Sequence, residues 1–217
     1  MTAQVFAREG FQAIGTSSYA TAGTLGLHDG QRIALWDTVD LVKRLARRVK
    51  LPVNADIEAG YAETVEGVVE SAKAVLAAGA VGINIEDSTG NLEHPLYDLA
   101  FQCEKIDPIR AMANAAEIHL VINARTDEFL IPSGNSGRKL SRAIERGQAY
   151  TESGADCVFA PDMGDLDIAM LRQLVSEIGA PINIMAGNAA PPMAMLEEIG
   201  IARQPGAESN AGGAGII

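Results

Sequence analysis

Hydrophobic and polar residues alternate along three short stretches of this chain, and each stretch ends in acidic residues. The stretches span residues 53–58, 81–87 and 121–127. Successive side chains of a strand point to opposite faces, so each predicted strand has one apolar and one polar face. The polar faces carry Asn54, Asp56, Glu58, Asn84, Glu86, Asn123, Arg125 and Asp127. Because isolated charges inside a sheet are unfavourable, acids and an arginine converging at three strand ends predict a functional site.

Helical patterns separate these strands. Apolar residues recur every three or four positions over residues 39–49 and 65–76, as expected for amphipathic helices. Glycine suits the left-handed position that terminates a helix. Helical stretches end in glycine directly before an apolar run at Gly10, Gly79, Gly154 and Gly179. The chain is therefore predicted to repeat a strand–helix unit.

Strands that alternate with helices of this length indicate an α/β fold with a parallel sheet. Strict alternation over 217 residues favours a TIM-type (β/α) barrel, in which sites gather at the carboxyl ends of the strands. A doubly wound sheet is the alternative, but no G-x-G-x-x-G sequence follows any predicted strand. We predict six strands, near residues 12–16, 52–57, 81–86, 119–125, 156–160 and 181–186.

The predicted barrel domain, residues 1–203, lacks a strand at each end and is apparently incomplete. Residues 204–217 are rich in Gly and Ala and are predicted to form a low-complexity tail without regular order. Six strands do not close the usual eight-stranded barrel, so the strands near 12–16 and 181–186 are expected to be open edges. We therefore expect a partly open barrel or a homo-oligomer formed through those edges.

Composition narrows the class of protein. The chain is 47% hydrophobic, which suffices for a sizeable core, and its net charge of −11 argues against nucleic-acid binding. The two cysteines, Cys103 and Cys157, have neither metal-site spacing nor the density of a disulfide framework. The sequence shows no apolar run of membrane length and no secretory signal pattern. A cytoplasmic protein without nucleic-acid or membrane partners is expected.

Several motifs resemble those of the isocitrate lyase/phosphoenolpyruvate mutase superfamily. They occur in order and at plausible spacing over about residues 3–203. The motifs are Gly15-Thr16-Ser17-Ser18, Gly26-Leu27-His28-Asp29-Gly30, Ala55-Asp56-Ile57-Glu58-Ala59-Gly60-Tyr61, Gly82-Ile83-Asn84-Ile85-Glu86-Asp87, Asn123-Ala124-Arg125-Thr126-Asp127 and Pro181-Ile182-Asn183-Ile184. The resemblance implies a Mg²⁺-dependent α/β barrel that makes or breaks C–C or C–P bonds in small 2-oxo and 2-hydroxy carboxylates.

The resemblance also implies roles for individual residues. Asp56 corresponds to a direct Mg²⁺ ligand, and Glu58 and Glu86 to acids that hold metal-bound waters; Mn²⁺ is an alternative metal. Such a set agrees with the preference of Mg²⁺ for oxygen ligands and retained waters. Arg125 resembles the arginine that grips a substrate carboxylate, a role suited to its planar fork of donors. The remaining family positions are the substrate-binding loop of Ser17, Ser18 and Tyr19 and the catalytic loop acid Asp29.

The residues themselves leave alternatives open. Ser17 and Ser18 could simply cap the following helix, because helix capping and anion binding use the same groups. Asp29 precedes Gly30 and could be a turn residue. Asp87 and Asp127, at the very ends of their strands, are expected to cap or to face solvent. The asparagines at 54, 84 and 123 could form a polar layer that satisfies its own hydrogen bonds.

The loop after the Glu86 strand differs from the loops of characterised branches of the superfamily. Isocitrate and methylisocitrate lyases carry a Lys-(Lys/Arg)-Cys-Gly-His loop with a catalytic Cys, whereas residues 88–97 here contain none, and Cys103 lies too far along the chain. The lysine- and asparagine-bearing loop of the phosphonomutases is absent too. The chain thus resembles a short branch of the superfamily that lacks the catalytic-Cys loop. The resemblance to the superfamily predicts a carbon–carbon lyase that acts through a metal-stabilised enolate. The alternatives are a C–P mutase or phosphonopyruvate hydrolase and an inactive truncated relative.

Overall fold

The computed structural model describes residues 2–132, 134–161, 167–185 and 191–203. Its centre is a parallel sheet of seven strands in sequential order. The strands are β1 (Ile14–Gly15), β2 (Val53–Asp56), β3 (Gly82–Glu86), β4 (Val121–Arg125), β5 (Cys157–Ala160), β6 (Ile182–Ile184) and β7 (Ile201–Arg203). The sheet curls into a half-barrel, which confirms the predicted α/β fold with an incomplete TIM-type barrel. The predicted tail, 204–217, lies outside the described residues.

Helices follow the strands along the chain, as the apolar periodicity predicts. They are α1 (Thr2–Arg8), α2 (Ser18–Thr24), α3 (Leu35–Arg48), α4 (Val65–Ala77), α5 (Leu99–Ala115), α6 (Ser136–Glu152), α7 (Ile168–Ile178) and α8 (Met193–Ile199), with a 3₁₀ turn at Glu128–Leu130. No helix in the described ranges is both long and apolar enough to cross a membrane.

The prediction of six strands is wrong by one strand. Gly200 adopts a left-handed conformation (φ 97°) that ends α8, and the chain then enters β7, which pairs with β6 through a register shift at Ile182/Asn183. This strand directly precedes the low-complexity residues 204–217, and that neighbouring sequence obscures it in the sequence pattern. The expectation that the strand near 181–186 is an open edge is therefore wrong as well, because β6 has neighbours on both sides. The outermost strands of the described sheet are β1 and β7.

The core is divided into two apolar clusters. The larger cluster packs the outer face of β2–β4, including Ile83, Ile85 and Ile122, against α3, α4 and α5. The second packs β5–β7 against α6, α7 and α8, with Leu171 and Leu174 at its centre. Parallel strands are normally covered by helices, and the helices here cover the outer face. The inner face of β2–β4 is left to polar side chains.

The strand register aligns the polar residues of the inner face. Asp56 is paired with Asn84, Asn84 with Asn123, and Glu86 with Arg125. Because neighbouring parallel strands lie less than 5 Å apart, this register places the predicted acids and the arginine next to one another at the carboxyl edge of the sheet.

Candidate active site

A ladder of asparagine side chains crosses the inner face. Asn183 Nδ2 donates to Asn123 Oδ1 (2.6 Å), and Asn123 Nδ2 donates to Asn84 Oδ1 (2.8 Å). The ladder ends where Asn84 Nδ2 lies 3.4 Å from Asp56 Oδ1. The polar layer suggested by the sequence is thus present, but it runs through Asn183 instead of Asn54, and it does not satisfy itself fully, because the buried Oδ1 atoms of Asn54 and Asn183 have no hydrogen-bond partner among the described residues. Its N–H groups all point towards Asp56, which orients that carboxylate.

Asp56 is held in place by backbone groups as well. The amide of Ser18 donates to its Oδ2 (2.9 Å), and the amide of Glu58 donates to its Oδ1 (3.1 Å). Its own amide donates to Thr16 Oγ1 (2.8 Å). These bonds fix a buried carboxylate at the end of β2 and tie it to the loop that follows β1. The contribution of Ser18 to the site is therefore its backbone amide.

Glu58 reaches the site from a strained turn beyond β2. Its φ is 49°, a left-handed value that is unusual for a non-glycine residue, and its side chain is only 2% exposed. Glu58 Oε2 accepts a hydrogen bond from the backbone amide of Gln31, and Oε1 accepts one from the hydroxyl of Tyr61 (3.0 Å). Burial raises the pKa of Glu58 to about 7, against the two hydrogen bonds, and the charges of Asp56 and Asp29 also raise it.

Arg125 is clamped by two acids. Its Nε and Nη2 donate to the two carboxylate oxygens of Asp127 (2.6 and 3.1 Å), and Nη1 lies 3.1 Å from Glu86 Oε2. This leaves one N–H on each terminal nitrogen for another partner. Burial raises the pKa of Glu86 and Arg125 opposes that shift, while Asp127 and Asp56 add to it. Although burial opposes its charge, the carboxylates of Glu86 and Asp127 raise the pKa of Arg125, which stays cationic.

The predicted loop residues are placed at different distances from this centre. Ser17 caps α2, its Oγ accepting a hydrogen bond from the amide of Ala20 (3.2 Å), and its role in substrate binding stays a prediction. The side chain of Tyr19 is 60% exposed. Asp29 is exposed but near enough to Glu58 to raise its pKa.

Asp87 and Asp127 do not face solvent, and Asp127 occupies the N-cap position of the 3₁₀ turn without a capping hydrogen bond from its side chain. Asp127 is 7% exposed and clamps Arg125, and Asp87 is fully buried on the opposite side of the sheet. Asp87 Oδ2 accepts from Tyr150 Oη (2.7 Å) and from Arg146 Nη1 (3.1 Å), both on α6. Strand alternation placed Asp127 on the face of Arg125. The partners of Asp87 lie 59 and 63 residues away in sequence and leave no local signal.

A buried lysine also lies beside the site, and no pattern in the sequence predicts it. Lys105 on α5 is 1% exposed. Its Nζ donates to the carbonyl of Ala59 (3.3 Å), next to Glu58, and lies 4.1 Å from the centre of the Tyr97 ring. Burial lowers the pKa of Lys105 to about 8, although Asp87 and Glu86 counteract the shift.

The inner face suits a hard divalent cation. Asp56, Glu58, Glu86 and Asp127 are all buried, and among the described residues Arg125 is the cation paired with them. No three acidic, histidine or cysteine side chains of the described chain lie close enough to coordinate a metal directly. Mg²⁺ takes few direct carboxylates and keeps several waters. A buried surplus of oxygen donors without His or Cys therefore fits Mg²⁺.

Comparison with known proteins agrees with this geometry. The family model for phosphoenolpyruvate phosphomutase matches residues 1–208. The chain belongs to the phosphoenolpyruvate phosphomutase family. It is 34% identical to 2-methylisocitrate lyase of Escherichia coli K12 over 191 residues, which are 85% of this chain but only 62% of that relative. The chain thus spans less than two thirds of the length of that lyase.

Solved structures of the family share the fold. A candidate phosphonomutase of Burkholderia cenocepacia J2315 is 34% identical and superposes with a TM-score of 0.86, covering 94% of this chain and 82% of its own. A phosphonopyruvate hydrolase crystallised with oxalate and Mg²⁺ superposes with a TM-score of 0.80 at 22% identity, covering 96% of this chain and 71% of its own. The second likeness, at that identity, establishes the fold alone.

Proposed function

We propose that this family member is a Mg²⁺-dependent lyase that cleaves or forms a C–C bond in a small 2-oxo or 2-hydroxy carboxylate by way of an enolate. The observation that carries the proposal is the buried surplus of carboxylates around Arg125 at the carboxyl edge of the sheet. Such a surplus is unfavourable unless a cation offsets it. Sites of β/α barrels also lie at this edge.

In this proposal, one set of residues would bind the metal and another would bind the substrate. Asp56 would hold Mg²⁺ directly, and Glu58 and Glu86 would hold it through water. Mg²⁺, when bound, supplies electrophilic stabilisation of the negative charge that develops on the substrate. Arg125 would orient a substrate carboxylate through the N–H groups that Asp127 and Glu86 leave unused. The loop of Ser17, Ser18 and Tyr19, tied to Asp56 through the Ser18 amide, would hold the substrate's carboxylate end, and Asp29 would be a loop acid close to the substrate.

A second candidate reaction is C–P chemistry. The similarity to the candidate phosphonomutase, at 34% identity and a TM-score of 0.86, favours it. The segment after β3 argues against C–P chemistry, because residues 88–97 form a short turn closed by an antiparallel bridge between Ser88 and Leu96 and lack the lysine-bearing phosphonomutase loop. The same segment also lacks the Cys-bearing loop of the isocitrate and methylisocitrate lyases. A cytoplasmic location and self-association through a sheet edge stay predictions.

The test uses oxalate, a dianion that resembles an enolate. Calorimetric titration should show oxalate binding that requires Mg²⁺. Arg125→Lys should lose about 2–5 kcal/mol of that binding, since an ammonium does not replace a bidentate fork. The matched control is Arg110→Lys, because Arg110 pairs with Asp156 on β5's amino-terminal side, away from the acids. Equal oxalate affinity in the wild type and Arg125→Lys would contradict the assigned role.

The reaction class is tested with small acids. Malate-like, oxaloacetate-like and methyl-branched acids, and a phosphonopyruvate-type acid, are followed by NMR with and without Mg²⁺. Mg²⁺-dependent cleavage of a C–C bond supports the lyase. Turnover restricted to the phosphonate would select the second candidate, and a chain that binds oxalate but converts none of these acids would contradict the lyase proposal.

A further inference from the structure

A chain of buried hydrogen bonds connects helix α6 with Arg125. Tyr150 Oη and Arg146 Nη1 both donate to Asp87 Oδ2, at 2.7 and 3.1 Å. The other oxygen of Asp87, Oδ1, accepts from the backbone amide of Asp127 at 2.8 Å. Asp127 then holds Arg125 by two hydrogen bonds of 2.6 and 3.1 Å. One carboxylate oxygen of Asp87 thus bonds to side chains of α6, and the other bonds to the backbone of Asp127.

This hydrogen-bonded chain is shielded from water. Asp87 and Tyr150 have no exposed surface, and Asp127 and Arg146 are less than 10% exposed. Hydrogen bonds in such an environment are strong and polarise one another. The Asp87 side chain does not contact the acids of the inner face, because it points to the opposite side of the sheet, towards α6. Its contact with the Asp127 amide is the link through which α6 can affect the site.

We infer that Asp87, Tyr150 and Arg146 are positioning residues that set the direction in which the Arg125 guanidinium faces a substrate carboxylate. The inference rests on the proposed function, in which Arg125 binds that carboxylate. Asp127 lies two residues beyond the end of β4, and its amide is held by the side chain of Asp87. A bidentate contact tolerates little rotation of the guanidinium plane, and a loosely supported binding group loses most of its effect.

The first experiment compares oxalate and Mg²⁺ affinities in two variants. Tyr150→Phe removes one donor to Asp87 and keeps the ring. Asp87→Asn is nearly isosteric, but a single amide oxygen does not serve both the Asp127 amide and the donors of α6. Both variants should weaken Mg²⁺-dependent oxalate binding about tenfold. Their affinity for Mg²⁺ alone should change by less than about twofold, because the predicted ligands lie outside this hydrogen-bonded chain.

The matched control is Tyr97→Phe. It removes a phenolic hydroxyl but keeps the Tyr97 carbonyl, which accepts a hydrogen bond from Arg146 Nη2 at 2.9 Å. Oxalate affinity should stay at the wild-type value. A thermal melt of each variant, with and without oxalate, separates loss of stability from loss of positioning. A lower melting temperature with unchanged oxalate affinity in Tyr150→Phe would show that the network is structural only and would overturn the inference.

A second readout does not depend on any ligand. The Arg125 Nε–H, bonded to Asp127, should give a slowly exchanging NMR signal, assigned by its loss in Arg125→Lys. Tyr150→Phe should shift that signal and speed its exchange with water, whereas Tyr97→Phe should not. An unchanged signal in Tyr150→Phe, with oxalate binding intact in the wild type, overturns the inference and leaves the proposed function standing. Wild-type protein that binds no oxalate overturns both.

Discussion

Two buried clusters of charge lie on opposite sides of the same strand ends, and they differ in balance. The inner cluster sets Asp56, Glu58, Glu86 and Asp127 around Arg125. The outer cluster pairs the buried acids Asp87 and Glu128 with the buried Arg146, which contacts both, and with the half-exposed Arg142, which contacts Glu128.

The difference indicates what each cluster is for. A balanced buried network is compensated by its own partners and holds elements together, although it is seldom more stable than an apolar replacement. A surplus of one sign is stable only with help from outside the chain. The contrast favours a structural role for the outer cluster, which holds α6 against β3, and supports the proposal that the inner cluster receives a cation. Substitutions in the two clusters should then have different consequences.

The largest effect is expected from breaking the outer cluster. Arg146→Met leaves Asp87 without its ionic partner in a fully buried position, which should lower the free energy of unfolding by about 3–5 kcal/mol. Urea unfolding followed by circular dichroism measures it. Arg142→Met is the control, because that side chain is 51% exposed and should contribute less than about 1 kcal/mol. Similar losses in both variants would mean that the outer cluster is not a buried network.

Lys105 should make stability depend on pH in the alkaline range. Burial lowers its pKa to about 8 in the folded chain, whereas the unfolded chain keeps a value near 10.4. The unfolded state therefore binds more protons between these values, so stability should rise with pH across this window, by at most about 3 kcal/mol. The facing charges are Asp87 and Glu86.

The pH effect is isolated by comparison with Lys105→Met. Urea unfolding between pH 7 and pH 10.5 should show that the wild type gains stability relative to Lys105→Met as the pH rises. Subtracting the two curves removes the contributions of tyrosines and other lysines. Parallel curves would show that the buried ammonium keeps its proton in the folded chain throughout this range.

Mg²⁺ should stabilise the chain through the inner cluster. At a concentration about a hundredfold above its dissociation constant, the metal should raise the free energy of unfolding by about 2.7 kcal/mol. Asp56→Asn should abolish the effect, because a neutral amide is a poorer ligand for a hard cation, and Glu58→Gln should reduce it less. Asp40→Asn, at an exposed position on α3, should retain the full stabilisation. If Mg²⁺ still stabilised Asp56→Asn, the metal would bind at a different site and Asp56 would not be its ligand.

The sequence predicted most residues of the inner cluster but not the contacts of the outer cluster. Strand alternation placed Asp56, Glu86 and Arg125 on one face, and the observed pairing of Glu86 with Arg125 follows from parallel register. Periodicity is a local signal, so it predicts what a strand itself dictates. It could not predict that Asp87, on the opposite face, meets side chains of α6, because that contact depends on how the helix packs.

Turn conformations were the second feature that the sequence could not predict. Glu58 lies beyond the end of β2 in a left-handed conformation, so its presence in the site follows from a turn and from the Gln31 amide that receives it. The sequence predicted the residue through its alternation with Asp56, although the strand stops there. Likewise, β7 pairs with β6 across a register shift and directly precedes the low-complexity residues 204–217, and the sequence pattern indicates neither the pairing nor the shift.

The smallest effect is expected from exchanging one glutamate in each cluster for glutamine, with the metal absent. In Glu58→Gln, the amide oxygen can still accept from Gln31, and its NH₂ can donate to Tyr61, whose hydroxyl also lies 2.9 Å from Thr38 Oγ1. The substitution removes one charge from a surplus, so the metal-free protein should gain about 0.5–1 kcal/mol, the usual sign when a strained functional group is neutralised.

Glu128→Gln is the mirror experiment in the balanced cluster. It deprives Arg142 and Arg146 of a buried partner, and stability should fall because the arginines are left with an excess of positive charge. Unfolding in urea with a chelator present measures both variants at one pH. Opposite signs for the two substitutions would support the assignment of surplus and balance, because the chemical change is identical. A loss in Glu58→Gln as large as that in Glu128→Gln would show that the inner acids are already compensated within the chain, and the argument for a bound cation would fail.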